Sequence, residues 1–328
     1  MTVLVTGGAG YIGSHMVLAL ADAGERVVVL DNLSTGFQWA VAPAATLVEG
    51  DIGDEDLVGR IVRSHHVDAI VHFAGSIVVP DSVTDPLGYY LNNTVKSRAL
   101  MAAAVANKVS NFIFSSTAAV YGNPLTLPVF ESETPAPISP YGTSKLMTEL
   151  MLRDTRVAHG LNYVVLRYFN VAGADPKGRS GQSTPRATHL IKVAAQTALG
   201  QRAHMDIFGD DYDTPDGTCV RDYIHVSDLI AAHMDALAHL KRGGESGIFN
   251  CGYSKGYSVL DVIKSVEKVH GAKINVRMAP RRVGDPAGIV AGADRVRDIL
   301  GWVPKHANLD TIVQSAMDWE KHLMKRNS

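Results

Sequence analysis

A tyrosine and a lysine four positions apart are the pair of residues best suited to proton transfer. Tyr141 and Lys145 lie in the segment YGTSK, and residues at this spacing share one face of a helix. Because a nearby ammonium favours the phenolate, we expect the pKa of Tyr141 to be lowered and Tyr141 to act as a general base near neutral pH. A hydroxyl from Ser115-Ser116-Thr117 would complete the site, since parallel sheets bind ligands at the carboxyl ends of their strands.

A glycine-rich segment close to the start of the chain predicts a dinucleotide site. Gly7, Gly10 and Gly13 follow a short apolar run and open a helical pattern. The first glycine permits a tight turn, the second lets the backbone approach a pyrophosphate, and the third lets the helix pack closely on the strand. The free N–H groups and positive dipole end of that helix favour bound phosphates.

A carboxylate at the end of the next strand favours NAD over NADP as the dinucleotide. Asp31 lies 18 positions after Gly13, near the spacing of about 20 at which an acidic side chain holds the adenosine ribose hydroxyls. Its negative charge would repel a 2′-phosphate. Asp51 and Ile52, in the tripeptide GDI, are interpreted as adenine contacts, although turn chemistry at a strand end would also explain them.

Composition and charge exclude several other classes of protein. Of the 328 residues, 46% are hydrophobic and 20% are charged, and the net charge of -2 argues against an electrostatic nucleic-acid binder. Cys219 and Cys251 are too few for a disulfide scaffold. No signal peptide is evident, and no apolar stretch approaches the roughly 18 residues that cross a bilayer. We therefore expect a cytoplasmic enzyme without a nucleic-acid or membrane partner.

The histidines do not predict a metal site. The 13 histidines are scattered along the chain, and no His-x-x-x-His pair lies on a helical segment. We interpret His72 and His225, which lie in or beside predicted strands, as structural residues. The sequence also lacks a Gly-x-Ser-x-Gly elbow and a P-loop.

The first half of the chain alternates apolar strands with helices. Strands are predicted over Val3–Thr6, Arg26–Leu30, Thr46–Val48, Ala69–His72, Phe112–Phe114 and Tyr163–Leu166, and helices over Tyr11–Ala23, Asp54–His65, Leu87–Asn107 and Tyr141–His159. This alternation is typical of βαβ units in a buried parallel sheet. The predicted fold class is α/β, with a doubly wound parallel (Rossmann) sheet.

The second half of the chain does not continue this alternation of strands and helices. Residues 174–186 and 209–219 are polar and glycine-rich, as long functional loops often are. Helices are predicted over Leu190–Leu199, Val226–Leu240, Val259–His270 and Leu309–Lys325. We predict a dinucleotide-binding domain over residues 1–170, to which the chain returns near 220–251, including a strand at Gly247–Cys251. A smaller C-terminal α/β substrate lobe is predicted over residues 171–328.

Motifs spread over nearly the whole chain resemble those of the extended short-chain dehydrogenase/reductase superfamily, and within it the UDP-glucose 4-epimerases. The segments that carry the resemblance are VLVTGGAGYIGSH, LDNLSTG, EGDI, VHFAG, YYLNN, FIFSSTAAVYG, SPYGTSKLMTE, LRYFNVAGA, IFGDDYDTPDGTCVRDYIHV and APRRVGD. The first, sixth and seventh mark the superfamily. The last two and LRYFNVAGA are more specific for the epimerases.

The resemblance implies reversible 4-epimerisation of UDP-glucose and UDP-galactose through a transient 4-keto sugar with tightly bound NAD. The implied catalytic residues are Thr117, Tyr141 and Lys145. The implied NAD contacts are Gly7, Gly10, Tyr11, Ile12, Gly13, Asp31, Asn32, Asp51, Ile52, Phe73, Ala74, Gly75, Asn92, Tyr141, Lys145 and Tyr168. The implied UDP-sugar contacts are Thr117, Tyr141, Asn170, His189, Arg221, Arg282 and Asp285, in the lobe over residues 171–328 and at its border. A homodimer built from the helices over Leu87–Asn107 and Tyr141–His159 is also implied.

Three positions bear on how far the resemblance extends. Ile77 replaces a lysine that is common in the family, so one polar contact is missing. His189 stands where the family pattern has asparagine, and its imidazole can still donate one hydrogen bond. Ile289 aligns with the position that gates N-acetyl sugars, and a branched side chain there would crowd an acetamido group.

Other functions remain open at this point. A 4-epimerase of an N-acetylated or uronic-acid UDP-sugar is the main alternative. A nucleotide-sugar 4,6-dehydratase would carry Asp and Glu directly after the catalytic threonine, where this chain has Ala118 and Ala119. A non-catalytic NAD-binding protein would be expected to lack the Tyr141–Lys145 pair.

Overall fold

A seven-stranded parallel sheet forms the centre of the structure, a computed structural model that describes residues 1–184, 187–282 and 285–327. The strands are β1 (Thr2–Thr6), β2 (Arg26–Asp31), β3 (Thr46–Glu49), β4 (Ala69–His72), β5 (Asn111–Thr117), β6 (Asn162–Tyr168), β7 (Asn170–Ala172), β8 (Met205–Phe208), β9 (Val220–His225), β10 (Gly247–Cys251), β11 (Gly256–Ser258), β12 (Val276–Ala279) and β13 (Gly288–Ile289). The helices are α1 (Tyr11–Asp22), α2 (Glu55–His65), α3 (Val79–Thr84), α4 (Pro86–Tyr89), α5 (Lys96–Ala106), α6 (Pro140–His159), α7 (Leu190–Ala198), α8 (Val226–Lys241), α9 (Val259–His270), α10 (Asp294–Leu300) and α11 (Leu309–Asn327).

Helices cover both faces of the central sheet, because its strands are apolar on both sides. In β1, Val3 and Val5 belong to one buried cluster and Leu4 belongs to another. Successive side chains of a strand point to opposite faces, so continuous apolar runs of this kind supply two cores at once. This architecture confirms the predicted doubly wound α/β fold.

The order of the strands places a crevice between β1 and β4. The sheet runs β10-β6-β5-β4-β1-β2-β3, so the chain winds outward in one direction from β1 and in the other from β4. Ligands of open parallel sheets bind at such a switch point, outside the carboxyl ends of the strands. The loops after β1, β4, β5 and β6 therefore form the edge on which a site is expected.

The second half of the chain builds two small sheets beside the central one. Strands β11, β9, β13 and β7 form a four-stranded sheet centred on β9, and β8 pairs with β12 in a two-stranded sheet. The chain returns to the central sheet at β10, whose bounds match the predicted strand, and β10 pairs in parallel with β6. The division of the chain at residue 170 stays a prediction.

Most predicted helices are present, but the expected helix over Leu87–Asn107 is not uniform. It begins as α4, passes through a π-helical turn at Tyr90–Val95 and continues as α5. The wider turn brings two successive asparagines to one partner: Asn92 donates to the Ser76 hydroxyl, and Asn93 accepts from the Ser76 N–H. Sequence periodicity could not indicate these contacts, which join residues 16 and 17 positions apart.

In the described part of the chain, no helix is long and apolar enough to cross a membrane. Among the same residues, no group of three or more His, Cys, Asp or Glu side chains is arranged to hold a metal ion.

Four histidines are held in the interior, and burial lowers the pKa of each. The pKa falls to about 4 for His15, His225 and His233 and to about 3 for His72. His72 hydrogen-bonds through its two ring nitrogens to Thr6 and Ser97, which agrees with a structural role. In the unfolded chain these groups titrate near pH 6.5.

We therefore expect stability to fall as the pH drops below about 6.5. Below this pH the four histidines bind protons in the unfolded chain but stay neutral in the folded chain. Each of them therefore lowers the free energy of unfolding by up to about 1.4 kcal/mol per pH unit. Melting temperatures at pH 6.5 and pH 5.0 measure the effect. His233→Gln should reduce the difference between the two pH values, while exposed His159→Gln should not. Equal melting temperatures for the unmodified protein at both pH values would contradict the expectation.

Candidate functional site

The glycine-rich loop after β1 packs so closely on its neighbours that side chains do not fit there. Gly7 has a φ of +71°, and a Cβ on it would lie 2.6 Å from the Ala74 backbone nitrogen. A Cβ on Gly13 would lie 2.1 Å from the Gly7 carbonyl oxygen. Gly10 is the N-cap of α1 and has no side chain to cover the helix N-terminus. These features fit a dinucleotide, since the bare backbone leaves room for a pyrophosphate at the dipole end of α1.

Asp31 ties this loop to the turn that follows β2. One carboxylate oxygen accepts from the Ala9 N–H and the other from the Leu33 N–H, both at 2.9 Å. The side chain is buried, so the carboxylate is fixed beside the glycine loop. This position suits the predicted contact with a ribose, because each oxygen has a further lone pair to offer.

Asp51 lies in a polar cluster beside Asn32, whereas Ile52 belongs to an apolar core. Asp51 accepts from Lys96 at 2.5 Å and from the Gly53 N–H at 2.8 Å. Partial burial raises the pKa of this carboxyl, but the bonds from Lys96, Gly53 and Asn32 outweigh burial and lower it. Ile52 is 6% exposed. The predicted adenine contact of this pair stays a prediction.

The other predicted cofactor contacts surround the same crevice. The Tyr11 hydroxyl donates to the Gly173 carbonyl at 2.6 Å, which joins α1 to the segment after β7. Ile12 packs against the main core, and the Phe73 ring lies 4.9 Å from the ring of His233. Together with Ala74 and Gly75, Phe73 follows the carboxyl end of β4.

The three predicted catalytic residues meet at the carboxyl end of β5. Thr117 is the last residue of this strand, and its hydroxyl lies near enough to the phenol of Tyr141 to favour the ionised phenol. The Lys145 ammonium donates to the Ser115 carbonyl at 3.1 Å. Tyr168, at the end of β6, is the register partner of Thr117. Hydroxyl, phenol and ammonium groups thus share one buried corner of the sheet.

Polar side chains of helix α6 fix its position against the central sheet. Ser139 caps its first turn, Pro140 occupies the first helical position, and the helix ends at Gly160, whose φ is +75°. One turn beyond Lys145, the buried Glu149 accepts from Ser116 and forms a bidentate pair with Arg167 of β6. These bonds fix the helix against β5 and β6.

The structure corrects the expected direction of the Tyr141 pKa. Burial raises the pKa of Tyr141 well above its usual range, Tyr168 adds to this effect, and the Thr117 hydroxyl opposes it. Burial also lowers the pKa of Lys145 to about 8, against a smaller raising effect of Glu149. The prediction from the sequence was wrong because it took into account the charge of the lysine and not the desolvation of both groups.

Apart from Thr117 and Tyr141, the residues predicted for the UDP-sugar divide into two groups. In the first, Arg221 of β9 and Asp285 approach to 3.7 Å, and Arg221 also donates to the Val220 carbonyl. The guanidinium of Arg282 stacks on the Phe208 ring at 3.8 Å. Val283 and Gly284, which lie between Arg282 and Asp285, are outside the described residues.

The second group lines a cavity between β7, α7 and α11. Asn170 and His189 both face it. Tyr223, the register partner of Asn170, also lines this cavity and lies two residues after Arg221 on β9. Side chains two apart on a strand share a face, so β9 joins the two groups.

Sequence reasoning missed several residues in the wall of this cavity. They are Tyr223, Gln182, Lys192, Trp319 and Glu320. One signal was present: Glu320 lies among Val313, Met317 and Leu323 on the apolar face of α11, and a carboxylate in such a place needs a partner. The sequence could not show that the partner is Lys192.

The structure locates two of the unusual positions identified in the sequence. Ile77 is exposed, at 51%. Ile289 is 7% exposed and belongs to the main core cluster, where it pairs with Arg221 across β9 and β13. The crowding of an acetamido group by Ile289 stays a prediction.

Comparison with known proteins places the chain in a family. Residues 3–252 match the NAD dependent epimerase/dehydratase family. The chain belongs to this family. A UDP-glucose 4-epimerase of Azospirillum brasilense is 60% identical over 321 residues, which cover 98% of this chain and 92% of that protein. The resemblance drawn from the sequence is therefore confirmed, as is the family's dependence on NAD.

Two solved structures of this epimerase family share the fold along the whole chain. The UDP-glucose 4-epimerase of Brucella ovis, in complex with NAD, is 44% identical with a TM-score of 0.94 and covers 97% of both chains. The UDP-Glc/GlcNAc 4-epimerase of Campylobacter jejuni is 47% identical with a TM-score of 0.85 and covers 98% of this chain and 99% of that one.

We expect Gly13→Ala to weaken NAD binding in this member of the epimerase family. The added Cβ would push α1 away from the Gly7 carbonyl, and overpacking of about 1–3 kcal/mol corresponds to a loss of affinity of about five- to 150-fold. Calorimetric titration with NAD after removal of any bound cofactor measures the change. Gly59→Ala in α2 is the control, because its Cβ would first meet the flexible end of Arg63. Equal affinity for both variants would contradict the close-packing argument.

Proposed function

We propose that this chain interconverts UDP-glucose and UDP-galactose by inverting the configuration at C4 of the sugar. The observation that carries the proposal is the meeting of Thr117, Tyr141 and Lys145 at the carboxyl end of β5, two strands from the glycine loop of β1. The high identity to proteins named UDP-glucose 4-epimerase supports it. A location in the cytoplasm is part of the proposal and agrees with the free, buried thiols of Cys219 and Cys251.

NAD fits the crevice at the switch point of the sheet. The tight backbone at Gly7 and Gly13 and the carboxylate of Asp31 offer a place for the pyrophosphate and the adenosine ribose. When bound, NAD supplies a hydride acceptor and donor for C4 of the sugar, so that a 4-keto sugar can form and be reduced on its other face. In the proposal, Asn32, Asp51, Ile52, Phe73, Ala74, Gly75, Asn92 and Tyr168 complete the cofactor site.

The residues of the chain hold and move the proton of the 4-hydroxyl. In the proposal Tyr141 first releases its own proton to solvent; the phenolate then takes the proton of the sugar hydroxyl and later returns it, while the Thr117 hydroxyl orients the sugar oxygen. Burial keeps the phenol neutral until a positive charge favours its ionisation. Lys145 holds a mostly protonated ammonium in the same buried corner at pH 7, since burial lowers its pKa only to about 8.

The nucleotide would be held by the second half of the chain. Arg221 and Arg282 suit the pyrophosphate because guanidinium groups bind phosphate oxygens in pairs, and Asp285 suits a ribose hydroxyl. Asn170 and His189 line the adjoining cavity and offer N–H donors. With the nucleotide fixed in this way, the sugar can turn between the two half-reactions.

Conversion of UDP-galactose to UDP-glucose by the purified protein tests the proposed function. We expect interconversion without added NAD, because the cofactor is proposed to stay bound. A parallel assay with added NAD serves as the control for protein that lost its cofactor during purification. Turnover of UDP-N-acetylgalactosamine or of a UDP-uronic acid without turnover of UDP-galactose would overturn the proposal in favour of the alternative substrates.

We expect Tyr141→Phe to lower the turnover number by about 10²- to 10⁴-fold, the usual contribution of a general acid–base. The variant keeps the buried ring and loses the hydroxyl that exchanges the proton, so NAD binding should persist. Tyr163→Phe is the matched control, since Tyr163 is another buried tyrosine and lies near the opposite end of β6. Wild-type turnover by Tyr141→Phe would refute the role of Tyr141 as the base.

We also propose a homodimer formed through the segment from α3 to α5 and through α6. Leu87, Leu91 and Val95 recur every four residues and are 77%, 55% and 53% exposed. Met147 and Leu150 of α6 are exposed as well, and Met147 contacts Thr94. An apolar face of this kind on two neighbouring helices is typical of a subunit interface.

We expect Leu91→Glu to convert the dimer to a monomer, because the change places a charge within the proposed interface. Size-exclusion chromatography with light scattering measures the mass. Leu125→Glu is the control, since Leu125 is 97% exposed and lies outside these helices. A monomeric unmodified protein, or a dimer that persists in Leu91→Glu, would contradict the proposed interface.

A further inference from the structure

A buried ion pair lies in the wall of the cavity that Asn170 and His189 face. Lys192 of α7 and Glu320 of α11 are 5% and 4% exposed and bond directly to each other. The Lys192 ammonium also donates to the Gln182 carbonyl at 2.7 Å. The second Glu320 oxygen accepts from Gln196 at 3.3 Å. A buried pair with these additional bonds fixes its neighbours in place.

The same two helices hold the segment around Gln182. The Trp319 indole N–H donates to the Ser183 hydroxyl at 3.1 Å. Gly181 lies flat against this indole, since a Cβ on it would be 2.4 Å from the ring. Residues 181–183 are therefore held on both sides, which places Gln182 beside His189.

Gln182 directs its amide nitrogen to one nitrogen of His189. The Gln182 Nε2 lies 2.7 Å from the His189 Nδ1. An amide NH₂ can only donate, so Nδ1 must accept and the ring hydrogen must be on Nε2. Burial, and next the charge of Lys192, lower the pKa of His189, which keeps the ring neutral at pH 7. In the described part of the chain, no residue bonds to Nε2.

A neutral histidine at this position needs a partner that fixes which ring nitrogen carries the hydrogen, as Gln182 does here. An amide side chain such as that of asparagine carries N–H donors in any protonation state. A neutral imidazole carries one N–H, which can lie on either nitrogen. Only the form with hydrogen on Nε2 offers a donor to the cavity while Nδ1 is bound to Gln182.

We propose that Gln182 is a positioning residue that holds His189 with its hydrogen on Nε2, so that His189 donates a hydrogen bond to an oxygen of the UDP group. The Lys192–Glu320 pair supports this arrangement by fixing the Gln182 backbone. The inference rests on the proposed function insofar as UDP is the ligand of the cavity.

The tautomer of His189 can be measured without ligand or turnover. In protein labelled with ¹⁵N at histidine, two-bond NMR correlations distinguish hydrogen on Nε2 from hydrogen on Nδ1, and the spectrum of His189→Asn identifies the signals. We expect hydrogen on Nε2 in the unmodified protein and a mixture of both forms in Gln182→Leu. Hydrogen on Nδ1 in the unmodified protein, or an unchanged tautomer in Gln182→Leu, would overturn the proposal.

Affinity for UDP tests the consequence. We expect Gln182→Leu to weaken calorimetric UDP binding about three- to tenfold, the effect of one lost hydrogen bond, and Gln314→Leu, an exposed control on α11, to leave it unchanged. In the background of His189→Asn, Gln182→Leu should have little effect, because the amide donor needs no fixed tautomer. An equal loss in both backgrounds would show a merely structural role for Gln182. Absence of UDP binding by the unmodified protein would instead refute the proposed function.

Discussion

The burial of a polar helix face against the central sheet is the constraint on which the site depends. Helix α6 turns Tyr141, Lys145 and Glu149 inward, at successive positions one helical turn apart, onto the end of β5. Buried polar groups are costly unless they are bonded. Here the carbonyl of Ser115 accepts from Lys145, and the hydroxyl of Ser116 and the guanidinium of Arg167 donate to Glu149. The bonds that make this burial possible also fix the reactive groups at the edge of the sheet.

The topology of the sheet then brings the two halves of the chemistry together. The glycine loop follows β1, the phenol and ammonium groups lie at β5, and β4 stands between these strands. The small sheet around β9 adds the arginine and the cavity wall, and Tyr11 of α1 bonds to Gly173 after β7. A cofactor at the switch point and a nucleotide in the second half of the chain would thus meet beside Tyr141.

Local patterns in the sequence were sufficient to predict the central sheet and the first layer of the site. The apolar runs of β1, β2 and β4, the glycine spacing and the Tyr-Lys pair all act within a few residues of one another. Contacts between distant residues were not predictable: Lys192 and Glu320 are 128 positions apart. Strands β7 and β13 have only three and two residues, too few to show a pattern. The pKa of Tyr141 was wrongly predicted because desolvation arises only in the folded protein.

The central claim is that the chain inverts C4 of a UDP-sugar while its hydrogen stays within the site. The most direct measurement is the reaction of UDP-galactose carrying deuterium at C4, in ordinary water, with mass spectrometry and NMR of the UDP-glucose formed. We expect deuterium to remain at C4 and no hydrogen to enter there from water. UDP-glucose with hydrogen from water at C4, or no UDP-glucose at all, would contradict this claim.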